Sequence, residues 1–323
     1  MINKISIKNF KSLKKVQVET KSLNLLMGLN GMGKSSFIQA LLLLMQSDKL
    51  EERVIDLNGL LAQIGKGRDA LYQFAEEQPE HIDFTLTFDE CPAFSWKFNY
   101  QSEKEELIAE CGYKKEDMKF FRTQTKKFQY ISAERIGPRD IYKASSVVVA
   151  DKKQLGLLGE YAACYIDVYG SKHIVSETLR HAGASSNKLI AQVNAWMQEI
   201  SPGVSINTKY EPVANNVILD YQFEVGNQRT NPFRPKNVGF GISYVLPIVL
   251  ALLTAEEGKI IVIENPESHI HPRGQAELGK LIALAASLGA QLFIETHSDH
   301  ILNGIRVAVK EGLIDKSKVN VMY

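Results

Sequence analysis

At 323 residues, with 45% hydrophobic and 23% charged side chains, the chain has a globular composition and room for one elaborate α/β domain or for two domains. A formal net charge of +1 provides no global field to draw in nucleic acid or an anionic membrane, so any such contact has to come from a local patch. The three cysteines, Cys91, Cys111 and Cys164, fit neither a zinc ribbon nor a disulfide framework. The start runs straight into a strand pattern without a leader-like apolar region, and the longest apolar runs, 40–45 and 245–253, fall short of the roughly 18 residues that span a bilayer. These features predict a soluble cytoplasmic protein without a membrane partner.

Apolar and polar residues alternate over 2–8, followed by Val16, Val18 and an apolar run over 23–27, which predicts short strands leading into a glycine-rich stretch. From Gly33 the spacing turns helical, with Phe37, Ile38, Leu41, Leu42 and Met45 on the buried face. Segments 81–88, 95–100 and 128–133 read as further strands. Between about 140 and 235 the composition shifts: Ser, Asn, Gly and Lys cluster at 183–188 and 226–235, around a helical run over 189–200 and strand-like runs over 204–210 and 217–225. This segment reads as an inserted lid or arm, and no heptad series is sustained enough for a long coiled coil. The last third alternates helix 242–254, strand 259–264, helix 274–287, strand 291–295, helix 299–310 and strand 318–322, the order of a parallel sheet covered on both faces.

Gly28-Leu29-Asn30-Gly31-Met32-Gly33-Lys34-Ser35 follows a strand and opens a helix, the context in which a GxxxxGK[ST] sequence cradles phosphates. Backbone N–H groups and the helix N-terminus supply positive potential, Lys34 is placed to reach terminal phosphates, and the Ser35 hydroxyl to ligate Mg²⁺. The bland alternative is a glycine turn that needs positive φ and binds nothing. Apolar residues 260–263 end in Glu264, the layout that brings a carboxylate to such a metal ion. Lys126 and Lys127 interleave with Phe120, Phe121, Phe128 and Tyr130 in a pattern compatible with nucleic acid, though more often a solvated strand edge. Arg135, in a turn after the strand over 128–133, reads as a phosphate or interface contact or, more plainly, as a salt-bridged structural arginine.

The order of four stretches resembles the RecF/SMC/OLD-like branch of ABC ATPases. They are the glycine loop, Gly239-Phe240-Gly241-Ile242-Ser243, then Glu264-Asn265-Pro266-Glu267-Ser268-His269-Ile270-His271-Pro272, then Glu295-Thr296-His297-Ser298. Asn9-Phe10-Lys11-Ser12 is similar to the opening of these heads, where a basic residue lies close to nucleotide, which makes Lys11 a candidate. Within the branch the wording is most similar to the stand-alone predicted AAA ATPases of prokaryotes, many from defence loci. The resemblance covers roughly 1–90 and 236–323 and fades between them. It implies an α/β fold: a P-loop ABC-type head with a mainly parallel core sheet, an N-terminal antiparallel β portion and an inserted α+β lid. The expected division is 1–139 as the first part of the head, 140–235 as the lid and 236–323 as the second part.

The resemblance also implies ATP and Mg²⁺ as ligands, with Gly28, Asn30, Gly31, Gly33, Lys34, Ser35, Ser36 and Lys11 on the nucleotide and Ser35 and Glu264 on the metal. Two heads would face each other, with Gly239, Gly241 and Ser243 of one against the γ-phosphate held by the other, and His297 would serve as a switch histidine. Asn265 stands where these enzymes carry a catalytic glutamate, and an amide accepts no proton. Either Glu267 supplies the general base or hydrolysis is slow and ATP acts as a clamp. Glu267, His269, His271, Glu295, His297, Asp299 and His300 also hold ligand atoms enough for a transition metal, although two loops gathered near nucleotide explain them as well. The implied function is a nucleotide-dependent homodimer or higher oligomer that controls an operon-encoded effector or a DNA transaction in antiphage defence. Two alternatives stay open: a non-hydrolysing scaffold that holds a nuclease or toxin, and a RecF-like repair protein that binds DNA.

Overall fold

The computed structural model describes residues 1–29, 31–76, 80–89 and 93–323, and the chain divides into two compact units, Met1–Phe128 with Val319–Tyr323, and Gln129–Lys318. In the first unit β1 (Ile2–Phe10), β2 (Leu13–Glu19) and β3 (Leu23–Leu26) precede α1 (Lys34–Gln46). Then come β4 (Val54–Asp56), the single turn α2 (Gly67–Ala70), β5 (His81–Phe88), β6 (Phe94–Asn99), β7 (Glu106–Ile108) and α3 (Lys115–Lys126). An antiparallel sheet of order β2-β1-β5-β6 forms because each strand alternates. Ile5, Ile7, Phe84, Leu86, Trp96 and Phe98 face inward, while Lys4, Ser6 and Lys8 take the other face. Phe94 stacks on Trp96 at 5.7 Å, and Phe121 of α3 closes on both, each ring contributing about 2–3 kcal/mol by leaving water. The chain's last strand, β15 (Val319–Met322), pairs parallel with β3, with Val321 opposite Leu25.

The second unit takes up β8 (Phe128–Ile131) and β9 (Tyr142–Lys143), a π-helical turn Val147–Asp151, α4 (Ala162–Tyr169) and α5 (Leu189–Ile200). The hairpin β10 (Val204–Glu211) and β11 (Asn216–Val225) follows, with the short β12 (Gln228–Arg229). It ends in α6 (Phe240–Leu253), β13 (Ile260–Glu264), α7 (Pro272–Ser287), β14 (Gln291–Glu295) and α8 (Asp299–Lys310). β13 and β14 run parallel in strict register from Ile260 opposite Gln291 to Glu264 opposite Glu295, and β8 flanks β13. The interiors of both strands, residues 260–263 and 292–294, are apolar because both faces of this sheet are covered, with α6 almost entirely buried. The expected mainly parallel core with an N-terminal antiparallel portion is present. Among the described residues no helix is long and apolar enough to cross a membrane.

Two helices longer than a single turn lie where the spacing predicts none. Among the described side chains of α3 only a narrow stripe, Met118 and Phe121, is buried within a charged run. In α4 the sequence AACYIDVY is rich in residues that favour strands, and burial of Ala162 to Ile166 overrides that preference.

Candidate functional site

In the first unit, β3 runs into the glycine loop and out into α1. Gly28, Gly31 and Gly33 sit at φ 116°, 83° and 93°, values that an L side chain resists, and a Cβ on Gly33 would lie 2.7 Å from the Leu13 side chain. Gly33 caps α1 without a side-chain acceptor, so no side chain competes for the N–H groups of the first turn and they can serve an anion. The buried Lys34 ammonium donates to the carbonyls of Gly28 and Leu29, both at 2.8 Å, and so curls the loop around itself. Ser35 is exposed. Lys11, at φ 49°, donates to Gln39 Oε1 at 2.8 Å, and burial pulls its ammonium below the usual lysine range, partly offset by Asp69. Ser36 is buried, and its Oγ lies 2.9 Å from Ser12 Oγ, which ties α1 to the β1–β2 turn. Asn30 lies outside the described residues.

In the second unit the register of β13 and β14 sets Glu264 beside Glu295 at the strand ends. Glu264 Oε2 accepts the Ala133 amide at 3.2 Å, and burial, reinforced by the Glu295 charge, pushes its carboxyl above the usual carboxylate range. Two adjacent acids, one of them resisting ionisation, fit a hard divalent cation that would relieve both. Arg135, 2% exposed, clasps the same strand end. Its Nη1 donates to Ser132 O at 3.0 Å and Glu264 O at 2.6 Å, and its Nη2 to Asn265 O at 2.7 Å. The Tyr244 ring lies 4.7 Å away, and burial pulls the guanidinium down to about 10. The salt-bridged arginine expected from the sequence is therefore an arginine bound to backbone carbonyls.

Beyond Glu264 the backbone turns sharply, with Asn265 at φ 44° and its N–H donating to Glu295 O at 2.8 Å. Its buried Oδ1 has no hydrogen-bond partner among the described residues. The side chain expected to replace it as base is turned elsewhere. Glu267 Oε2 accepts from Thr296 Oγ1 at 2.7 Å and Oε1 from the His297 amide at 2.8 Å. Thr296 is fully buried, Ser298 caps α8 by accepting from the His300 and Ile301 amides, and only His297 of the three is exposed. Gln275 of α7 braces the turn from the other side, accepting from Ser298 Oγ at 2.5 Å and donating to Ile270 O at 2.8 Å. Gln275 is invisible to motif reading, since a lone polar residue of this type carries no spacing signal, and Thr296 stands in its motif without an assigned role.

In the stretch 239–243, Gly239 is the N-cap of α6 with open space at its Cβ position, whereas a Cβ on Gly241 would lie 2.2 Å from the His269 carbonyl oxygen. Ser243, 5% exposed, pairs with Tyr221 Oη at 3.1 Å. His269, at φ 64°, is wedged edge-on between Phe240 and Tyr244, with ring centroids at 4.9 and 5.2 Å. Among the described residues no group of three or more His, Cys, Asp or Glu side chains is arranged to hold a metal ion. Phe121, Phe128 and Tyr130 are core residues, and Phe120 packs on Phe88 at 5.4 Å, so these rings offer no platform for bases; the Lys126 side chain lies outside the described residues.

The chain has the fold of an SMC-like, ABC-type ATPase head. At the level of fold, it is similar to an SMC head solved with the C-winged helix domain of ScpA. That likeness has a TM-score of 0.58 at 13% identity over 94% of this chain and 91% of the other. An SMC head with an extended coiled coil, bound to the C-terminal domain of ScpA derived from Pyrococcus furiosus, gives 0.54 at 11% identity with the same coverage. Residues 133–303, just over half of the chain, match the family described as "AAA domain, putative AbiEii toxin, Type IV TA system", and the chain belongs to that family. Residues 1–146 match the AAA ATPase domain family. The Old nuclease of Escherichia phage P2 is 22% identical over 339 residues, which cover 94% of this chain. The chain spans 57% of that relative's length.

Proposed function

We propose that the chain binds ATP with Mg²⁺ and hydrolyses it slowly, and that nucleotide draws two copies together to control a partner protein. The observation that carries this reading is the loop 28–33. Three glycines at positive φ, an uncapped helix N-terminus and a buried lysine ammonium are an apparatus for an anion with several oxygens. Gly28, Gly31, Gly33, Lys34 and Ser35 bind the phosphates, with Asn30 of the same motif, and Lys11 adds positive charge nearby in its unit. Ser35 and Glu264 would hold the metal, which would supply charge neutralisation for the phosphates. His297 stabilises charge on the transferring phosphoryl group. Gly239, Gly241 and Ser243 are assigned to the contact with a second copy, the Ser243 hydroxyl being paired with Tyr221 in the single chain.

The likeness to heads solved with ScpA domains favours a protein partner, here an effector encoded beside this gene, and the likeness to a phage nuclease favours defence against foreign DNA in the cytoplasm. A non-hydrolysing clamp is the second reading, favoured by Asn265 and by the engagement of Glu267. Steady-state ATPase measurement with Mg²⁺, together with native mass with and without a non-hydrolysable analogue, tests both. Turnover that Lys34→Ala abolishes, and a doubling of mass with analogue, are expected. Binding without turnover, with Asn265→Glu then raising hydrolysis, would establish the clamp. No nucleotide binding would end both readings.

A further inference from the structure

We infer that Glu267 is a positioning residue that mounts His297, and not the base that activates water. The inference rests on the proposed role of His297 in hydrolysis and defines how that site is held. Both carboxylate oxygens of Glu267 are engaged by donors from one turn, the Thr296 hydroxyl at 2.7 Å and the His297 amide at 2.8 Å. Hydrogen bonds to an ionised carboxylate are among the stronger ones in proteins and fix direction as well as distance. Thr296 also accepts the Ser298 amide at 3.1 Å, which passes the constraint across His297 to its other neighbour.

A second strut runs parallel to the first. Gln275 takes the Ser298 hydroxyl on its Oε1, and its Nε2 donates to the carbonyls of Ile270, at 2.8 Å, and of Glu267 itself, at 3.4 Å. The loop 265–271 and the turn 296–298 are thus bridged twice, once by a carboxylate and once by an amide. Each bridge ends on a residue adjacent to His297, both of them buried, while the His297 side chain projects outward. A base needs a lone pair aimed at water, and in this carboxylate each oxygen already accepts one donor from the turn. Misplacing a catalytic group by about 1 Å costs on the order of 10²-fold in rate, so a mount of this kind is worth as much as a chemical step.

The test separates a mount from a base by the conservative variant. Glu267→Gln keeps the length and one acceptor oxygen for the His297 amide, and its NH₂ can donate to Thr296 Oγ1. Glu267→Ala keeps neither. The expected result is that Glu267→Ala lowers kcat by roughly 10²-fold, that Glu267→Gln recovers at least about tenfold of that loss, and that KM for ATP stays unchanged in both. Thr296→Val, nearly isosteric and safe should Glu267→Ala not fold, lowers kcat alone and adds nothing further in the Glu267→Ala background. Faster amide exchange at His297 in Glu267→Ala accompanies the loss. Glu267→Gln as inactive as Glu267→Ala, with Thr296→Val at wild-type rate, would show that Glu267 is the base and overturn the inference. Turnover that is absent from wild type, or insensitive to Lys34→Ala, would remove the hydrolytic reading and this role with it.

Discussion

Replacing Arg135 by Met should destabilise the second unit by about 3–5 kcal/mol, because it strips the guanidinium donors from three part-buried backbone carbonyls at once. Met keeps the length and most of the apolar stem, so the cavity is small. The carbonyls of Ser132, Glu264 and Asn265 would lose donors now at 3.0, 2.6 and 2.7 Å. An unpaired buried carbonyl costs about 1–3 kcal/mol, and the lost Tyr244 ring contact adds about 1 kcal/mol. Part of that is offset by no longer burying a guanidinium, whose discomfort is visible in its fall to about 10. Arg135→Lys, with one compact ammonium in place of a planar fork, should fall between the two. Urea denaturation followed by fluorescence reads this directly, because each unit holds one buried tryptophan, Trp96 in the first and Trp196 in the second. In a Trp96→Phe background the signal belongs to the second unit alone, which matters where two units need not unfold together. A midpoint shift worth less than about 1 kcal/mol at unchanged slope would refute the reasoning, since water would then be serving those carbonyls.

Lys34→Ala should weaken ATP binding or turnover by roughly 10²-fold while leaving the urea midpoint of the first unit near that of wild type, as measured by calorimetric titration and denaturation. Gly241→Ala should cost about 1–3 kcal/mol, since the new Cβ would meet the His269 carbonyl oxygen at 2.2 Å, whereas Gly239→Ala, with open space, should cost far less in the same thermal melt. Burial holds Lys259 at about 8 against 10.5 for a free lysine. Between those values the unfolded chain binds a proton that the folded chain does not, so stability rises with pH through that window by at most about 1.4 kcal/mol per pH unit. Lys259→Met should flatten this rise and stabilise the protein below about pH 8, where wild type carries the buried charge in full; an equal slope in both proteins would refute it.

Periodicity made the last third of the chain readable. β14 and α8 fall on the expected residues, Gln291–Glu295 and Asp299–Lys310, because a doubly covered parallel strand is continuously apolar and an amphipathic helix repeats every three to four residues. The same rule failed for α3 and α4, where a narrow stripe and a strand-like composition hide a helix that tertiary burial imposes. At the candidate site, the sequence carried which residues belong to the strand ends and loops, since these are set by the elements. It could not carry the direction of a side chain. Ser36 and Ser243 are hydroxyls one helical turn or less from a helix start, and both face inward, to Ser12 and Tyr221, because their partners come from residues at least 22 positions away. Glu267 is settled by Thr296 and His297, 29 and 30 residues on.

The missing side chain of Gly241 also sets how closely three segments meet. With no Cβ between them, the first turn of α6 rests directly on the carbonyl of His269, whose ring is gripped by Phe240 and Tyr244, and Tyr244 in turn holds the Ala133 carbonyl at 3.0 Å. Helix start, acidic loop and the turn after β8 are therefore held in direct contact, with no side chain at 241 to keep them apart.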